Sequence, residues 1–242
     1  MKVYIHSFRG KPWNEECQAA YDGFRSMGVE CVLFSTNEEI DGFERGDIIV
    51  GGMIITGHFL DILKIDPPNY NYPDELKDLL HRNIRTIRLK SLKNEQLPVF
   101  VKPLEEKTAH GMIIESMDNL DEYEKFSPET ELLCSDVIDI VSEWRCFVRY
   151  GKIVGVQHYN GDKNIQCDNN VIHQAVSRCH DLPAGCALDF GVTDTGDTCL
   201  IEMNDGYSIG CYGLDPVEYA KLLSARWAEL TGTEDECAFD IV

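Results

Sequence analysis

The stretch TCLIEMNDG, Thr198–Gly206, ends a strand-like apolar run in Glu202 and Asn204, an acid and an amide two residues apart. Side chains alternate along a strand, so this pair shares one face. The run CALDFGV, Cys186–Val192, precedes it, and Asp194-Thr195-Gly196-Asp197 between them has hairpin-loop composition. If Thr193 pairs with Thr198, Asp189 stands directly opposite Glu202, with Asn204 one step further along the same face. Cys199, Ile201 and Met203 then share the other face with Leu188, Phe190 and Val192. Two opposed carboxylates repel each other. A hard cation reverses that cost, and Asp, Glu and Asn are oxygen ligands that suit Mg²⁺. The alternatives are a slipped register that separates the acids, or one raised pKa shared between them.

Upstream, SEWRCFVRYGKIVGVQHY (Ser142–Tyr159) reads as two strands joined at Tyr150-Gly151. A two-residue turn there sets Arg149 opposite Lys152, Arg145 opposite Val156 and Glu143 opposite His158. Glu143, Arg145, Phe147 and Arg149 share one face, and Trp144, Cys146, Val148 and Tyr150 the other. A half-exposed sheet with solvated charges accounts for this pattern. A Glu–His pair beside Arg145 in an apolar hairpin points instead to a site.

The rest of the chain frames these two hairpins. Its 242 residues suffice for one large or two small domains with a real core. A net charge of −20 disfavours nucleic acid and anionic membrane as partners. The ten cysteines form no CxxC pair, and Cys179-His180 with Cys186 lacks a fourth ligand for zinc. No apolar run reaches membrane-spanning length and MKVYIHSFRG is too weakly apolar for a signal peptide, so a reduced, cytoplasmic setting is expected.

Residues 1–92 read as a small α/β lobe. Val3–Ile5, Cys31–Phe34 and Asp47–Gly52 are strand runs. A helix over Asn14–Met27 carries Cys17, Ala20, Tyr21, Phe24 and Met27 on one stripe and stops at Gly28. A further helix covers Asp74–His81. From 93 to 242 the texture is strands and turns. PVFVKP is a strand ending at Lys102 and Pro103. Lys107 and a small-residue loop from Thr108 to Gly111 follow, and then a second apolar run, MII. Lysines flanking such a loop suit a phosphate cradle, although a lysine at a strand end is ordinarily just solvated.

FVKP, Lys107 with Gly111, LLCSDVI, EWRCFV, LDFG and IEMN, in this order from Met1 to about Gly232, resemble the ATP-grasp proteins, most closely the small R2K-type group. The resemblance implies an α+β ATP-grasp fold, two α+β lobes holding ATP, preceded by the small α/β lobe. It implies ATP and Mg²⁺ as cofactors. By this resemblance Lys102 contacts the phosphates or the adenine edge, and Lys107 with Gly111 covers the β- and γ-phosphates. Cys134, Ser135, Asp136 and Val137 meet adenine through backbone groups, and Glu143 takes the ribose hydroxyls. Arg145 reaches the phosphates or an acyl-phosphate intermediate, a task that suits its permanently charged fork. Asp189, Glu202 and Asn204 hold one or two Mg²⁺ ions. His158 is a further candidate base or substrate contact. The Thr-Ala-His-Gly loop departs from the long glycine-rich lid of larger relatives.

The activity so implied is a ligase that joins a carboxylate to an amine or another nucleophile through an acyl phosphate. A small-molecule phosphotransferase and a non-catalytic nucleotide-binding module are the alternatives. The expected partner is a small molecule, amino acid or peptide, with Arg149, His158, Tyr159, Gly161–His180 and Gly206–Gly213 as candidate substrate walls. Asp215-Pro216-Val217-Glu218 caps a last helix. Its stripe of Val217, Ala220, Leu223, Trp227 and Leu230 is expected to pack on the sheet carrying Asp189 and Glu202, leaving Thr233–Val242 as an acidic tail.

Overall fold

The run at Val3–Ile5 forms the middle of β1 (Lys2–Phe8), whose buried residues alternate poorly because both faces are covered. β2 (Lys11–Pro12) turns back against its end, and α1 (Glu15–Ser26) follows. α1 is capped by the Asn14 side chain, which accepts the Cys17 N–H at 3.0 Å. β3 (Glu30–Phe34) and β4 (Ile48–Val50) pair in parallel with β1, one on each side, and α2 (Met53–Ile62) continues from β4. This is the α/β lobe expected from the strand–helix alternation. The helix expected over Asp74–His81 is instead a 3₁₀ helix, Asp74–Leu79. A six-residue segment behind Pro73 closes with i→i+3 bonds more readily than it nucleates an α-turn.

The computed structural model describes residues 1–68, 70, 72–104, 111–118, 120, 123 and 125–239. Lys107 and most of the loop before Gly111 lie outside these residues. The chain divides into two units, Met1–Leu79 with Val141–Val242, and Leu80–Ile140.

The second unit is an antiparallel sheet of β5 (Ile84–Arg88), β6 (Val99–Pro103), β7 (Met112–Ile114) and β8 (Glu131–Asp136), in the order β5-β8-β6-β7. Val99, Val101, Ile114, Leu132 and Cys134 build its core with Leu92 and Tyr123. β5 was not expected, because Arg85, Thr86 and Arg88 break its apolar pattern.

In the first unit, β9 (Ile140–Arg149), β10 (Lys152–Gly161), β11 (Gly185–Thr193) and β12 (Thr198–Asp205) form a sheet in the order β10-β9-β11-β12. α3 (Asn169–Arg178) precedes β11, and α4 (Pro216–Thr231) follows β12. Tyr150 and Gly151 both have positive φ, 48° and 69°, as a two-residue turn of the primed kind requires. Arg149 pairs with Lys152 as expected. Beyond that the register departs from the expectation, because Val154 is an extra residue: Arg145 faces Gln157, and His158 faces Trp144. Tyr159 is a second extra residue, so Glu143 faces Asn160.

α4 begins and ends as its capping residues dictate. Asp215 accepts the Val217 N–H at 2.9 Å and the Glu218 N–H at 3.2 Å, and Gly232 closes the helix at φ 67°. Its packing differs from the expectation. The Trp227 indole donates to the Arg45 carbonyl and meets the Phe43 ring edge-on, while Ala220 crosses α1 at Gly23. The expected stripe therefore faces the α/β lobe, and Leu222 and Arg226 lie against β11 at Gly185. The described part of the acidic tail is docked: Asp235 accepts from Arg149, Tyr150 and Ser224, and Cys237 is fully buried.

Candidate functional site

Asp189 and Glu202 are directly paired across β11 and β12, although the hairpin reaches that register by another route. Val192, not Thr193, pairs with Thr198, and Ile201 is an extra residue that restores the alignment at Glu202. Cys199 consequently faces Gly191, and Leu200 faces Phe190. The same strands place Asn204 to donate its amide to Asp189 Oδ2 at 3.0 Å.

β9 supplies a feature that the hairpin alone did not reveal. Arg145 donates Nε to Asp189 Oδ1 at 2.8 Å and Nη2 to Oδ2 at 2.7 Å, with both side chains buried. Burial pushes the Asp189 carboxyl up, and the Arg145 bonds pull against it. Burial works against the charge on Arg145 as well, yet its bonds to Asp189 hold its pKa above the ordinary value. The guanidinium lies 4.9 Å from the Tyr212 ring centre and 5.7 Å from that of Tyr159, and these two rings stack on each other. Tyr159, from the expected substrate wall, also bonds Glu143, which accepts from Asn160 Nδ2 at 2.7 Å.

Two expected participants stand elsewhere. His158 packs edge-on against Trp144 and does not pair with Glu143. Arg149 donates to Asp235 Oδ2 and to the Cys237 carbonyl, both at 3.1 Å, so the C-terminal segment rather than a substrate engages it. Tyr212 belongs to the expected wall Gly206–Gly213, but its place beside Arg145 was not foreseen, because a turn after β12 carries it there and no strand periodicity announces it.

Asp189, Glu202 and Asn204 offer oxygen donors that suit Mg²⁺. Among the described residues no three His, Cys, Asp or Glu side chains stand together for a metal, so the set would be two carboxylates and one amide. Asn204 turns its N–H₂ to Asp189, which leaves its oxygen as the donor. In this arrangement the residues fit the ion, with Asp189 contributing through whatever Arg145 leaves open.

Beside this cluster a cavity of about 350 Å³ is lined by Glu16, Gly51, Met53, Ser208, Tyr212 and Tyr219, among others. Ser208 donates to the Gly51 carbonyl at 3.0 Å and fixes the glycine-rich segment after β12 against the α/β lobe. Tyr212 thus borders both the cavity and Arg145.

In the second unit, Lys102 follows Phe100 on one face of β6, and their partners Leu133 and Ser135 share that face. Gly111 crosses the Phe100 ring so closely that a Cβ would stand 2.3 Å from it, which explains glycine there. Cys134 and Ser135 sit in a strand paired on both sides, and the Asp136 N–H goes to the Asn83 carbonyl at 3.2 Å. The Asp136 carboxylate accepts from Arg85 and from the Asn83 N–H. Val137 is the first of the expected adenine-binding residues beyond the ladder.

Residues 79–222 match the family model described as ATP-grasp domain, R2K clade family 2. This chain belongs to that family. The members of the ATP-grasp family are ATP-dependent ligases. Solved ATP-grasp structures share the mixed α+β fold over most of the chain. N5-carboxyaminoimidazole synthetase from Staphylococcus aureus superposes with a TM-score of 0.56 at 12% identity, over 96% of this chain and 77% of that one. The ligase PsnB, complexed with a phosphomimetic variant of its minimal precursor, Mg and ADP, gives 0.51 at 14% identity, over 95% and 97%. The macrocyclase MdnC from Microcystis aeruginosa MRC, bound with precursor peptide MdnA, gives 0.51 at 14% identity, over 92% and 99%. No curated protein sequence matches this ATP-grasp chain significantly. No helix among its described residues is long and apolar enough to cross a membrane.

Proposed function

We propose that this R2K ATP-grasp chain is an ATP- and Mg²⁺-dependent ligase that joins a carboxylate to an amine or another nucleophile. Residues 93–242 handle the nucleotide, and residues 1–92 form the lobe ahead of them. The observation that carries the reading is the meeting of Arg145, Asp189, Glu202 and Asn204 on adjoining strands inside the region matching the family. Glu202 and Asn204, with Asp189, hold Mg²⁺, which screens the phosphate charge that otherwise repels a carboxylate. Arg145 and Lys102 bind phosphate oxygens, with Lys107 and Gly111 covering them. Val137, with Ser135 and Asp136 behind it, orients adenine, and Glu143 meets the ribose. The substrate carboxylate would attack the γ-phosphorus, the bond to the bridging oxygen breaks and ADP leaves; the nucleophile then attacks the acyl carbon and releases inorganic phosphate and a proton. Positioning and charge do most of the catalysis.

The cavity beside Tyr212 is the acceptor site in this reading. Its size and its mixture of a carboxylate, a hydroxyl and tyrosine rings suit an amino acid or the end of a peptide. The precursor peptides in the PsnB and MdnC complexes support that class. The test is mass spectrometry of extracts incubated with protein, ATP and Mg²⁺. A new amide-type product, with ADP and phosphate released only when both carboxylate and nucleophile are present, is expected. A stable phosphorylated product, or nucleotide binding without turnover over a broad acceptor panel, refutes the ligase.

A further inference from the structure

We propose that Arg145 is a built-in counter-ion that keeps a divalent cation off Asp189 until nucleotide phosphate draws the guanidinium away. The inference rests on the magnesium reading of Asp189, Glu202 and Asn204 given above.

A carboxylate has about four acceptor positions. The Arg145 fork occupies one on each oxygen of Asp189, at 2.8 and 2.7 Å, and Asn204 takes a third at 3.0 Å. The edge that Arg145 fills is the edge a metal ion uses when it binds a carboxylate through both oxygens. A dication entering there meets a permanent positive charge in a buried setting, where like charges repel strongly. Removing Arg145 with nothing in exchange leaves a buried charge unpaired. Phosphate resolves both problems, since its oxygens accept the same planar fork that the carboxylate accepts. Asp189 then exchanges a guanidinium for a metal ion, and Arg145 exchanges a carboxylate for a phosphate. Neither charge is left alone. The stacked Tyr159 and Tyr212 rings beside the guanidinium hold it over Asp189 while phosphate is absent. Metal and nucleotide therefore load together, and free Mg²⁺ does not accumulate in the site.

Titration with Mn²⁺ followed by electron paramagnetic resonance tests this on the whole chain, in the parent and in Arg145→Met, with and without a non-hydrolysable ATP analogue. Without nucleotide, Arg145→Met should bind Mn²⁺ roughly ten- to a hundredfold more tightly than the parent, the scale on which groups around a ligand set metal affinity. Asp189→Asn in the same background should erase the gain. The analogue should bring parent affinity up. A measurement on the parent alone covers the case in which Arg145→Met does not fold. A protected arginine Nε–H resonance should persist in excess Mg²⁺ and shift only when the analogue is added. Equal Mn²⁺ affinity in parent and variant, or loss of that resonance with Mg²⁺ alone, overturns the proposal. Absence of metal uptake in every form, analogue included, overturns the magnesium reading itself and this inference with it.

Discussion

Arg145 and Asp189, 44 residues apart, form a two-pronged ion pair across β9 and β11 in which both partners are buried. Its neutralised charge changes what the opposed acids do to stability. Removing one partner leaves the other buried without compensation, so Asp189→Ala should destabilise the fold by about 3–5 kcal/mol. Arg145→Ala should do likewise. The residue types alone suggest a cation that can be removed without harm to the fold, and burial reverses that expectation. Urea unfolding of the two variants checks it, and unchanged midpoints contradict it.

Glu202 lies directly opposite Asp189, so Glu202→Gln removes one of two facing acids while keeping the shape. Turnover should vanish, because the ion loses a charged ligand. Metal-free stability should equal or slightly exceed the parent's. Melting curves without metal and with Mg²⁺ plus a non-hydrolysable ATP analogue, beside an ATP-turnover assay, separate this from a structural role, which predicts lost stability and retained chemistry.

Lys102→Ala should weaken ATP binding by roughly tenfold or more, the scale of a lost charge-assisted bond of about 1.5–3 kcal/mol. Adenosine affinity should barely change. Calorimetric titration with both ligands tests the assignment; equal losses for the two ligands contradict a phosphate contact.

The two hairpins were legible because their period-two patterns are local and their turns carry Gly and Asp. The three extra residues in them, Val154, Tyr159 and Ile201, were not. Each is compatible with a regular strand, and only packing decides where the ladder slips. The Asp189–Glu202 pairing was nevertheless reached, since the turn and the bulge shift the register in compensating directions. The Arg145–Asp189 bond depends on which strands lie side by side, and the order β10-β9-β11-β12 is a non-local outcome. The helix expected at Asp74–His81 was right in place but not in type or end, and β5 escaped entirely, because both local patterns are short and polar.

Trp227 is buried between α4 and the α/β lobe, so Trp227→Ala should cost about 3–5 kcal/mol. A melting temperature near the parent's contradicts that packing.

Tyr150 donates to Asp235 at 2.9 Å, and burial followed by this bond pushes its hydroxyl up to about 12. The folded value lies above the unfolded one, near 10. The stabilisation is therefore complete below about pH 10 and declines as pH rises toward about 12. Tyr150→Phe should flatten that alkaline decline, as read by denaturant midpoints across the range. An identical pH dependence in both proteins refutes the assignment.

The bulge at Ile201 divides β12 into two halves answering to different demands. The outer half, Thr198–Leu200, is buried and obeys the interior of the protein; the inner half, from Glu202, carries the half-buried polar groups of the candidate site. A one-residue deletion at Ile201 changes no charge and removes one aliphatic side chain. Phe190 still meets Leu200 and Asp189 still meets Glu202, now in one unbroken ladder, so what the deletion removes is the local bend and added twist of the bulge. The inserted residue thus sets the angle at which the polar end of the strand leaves the apolar one, and not which residues meet across it.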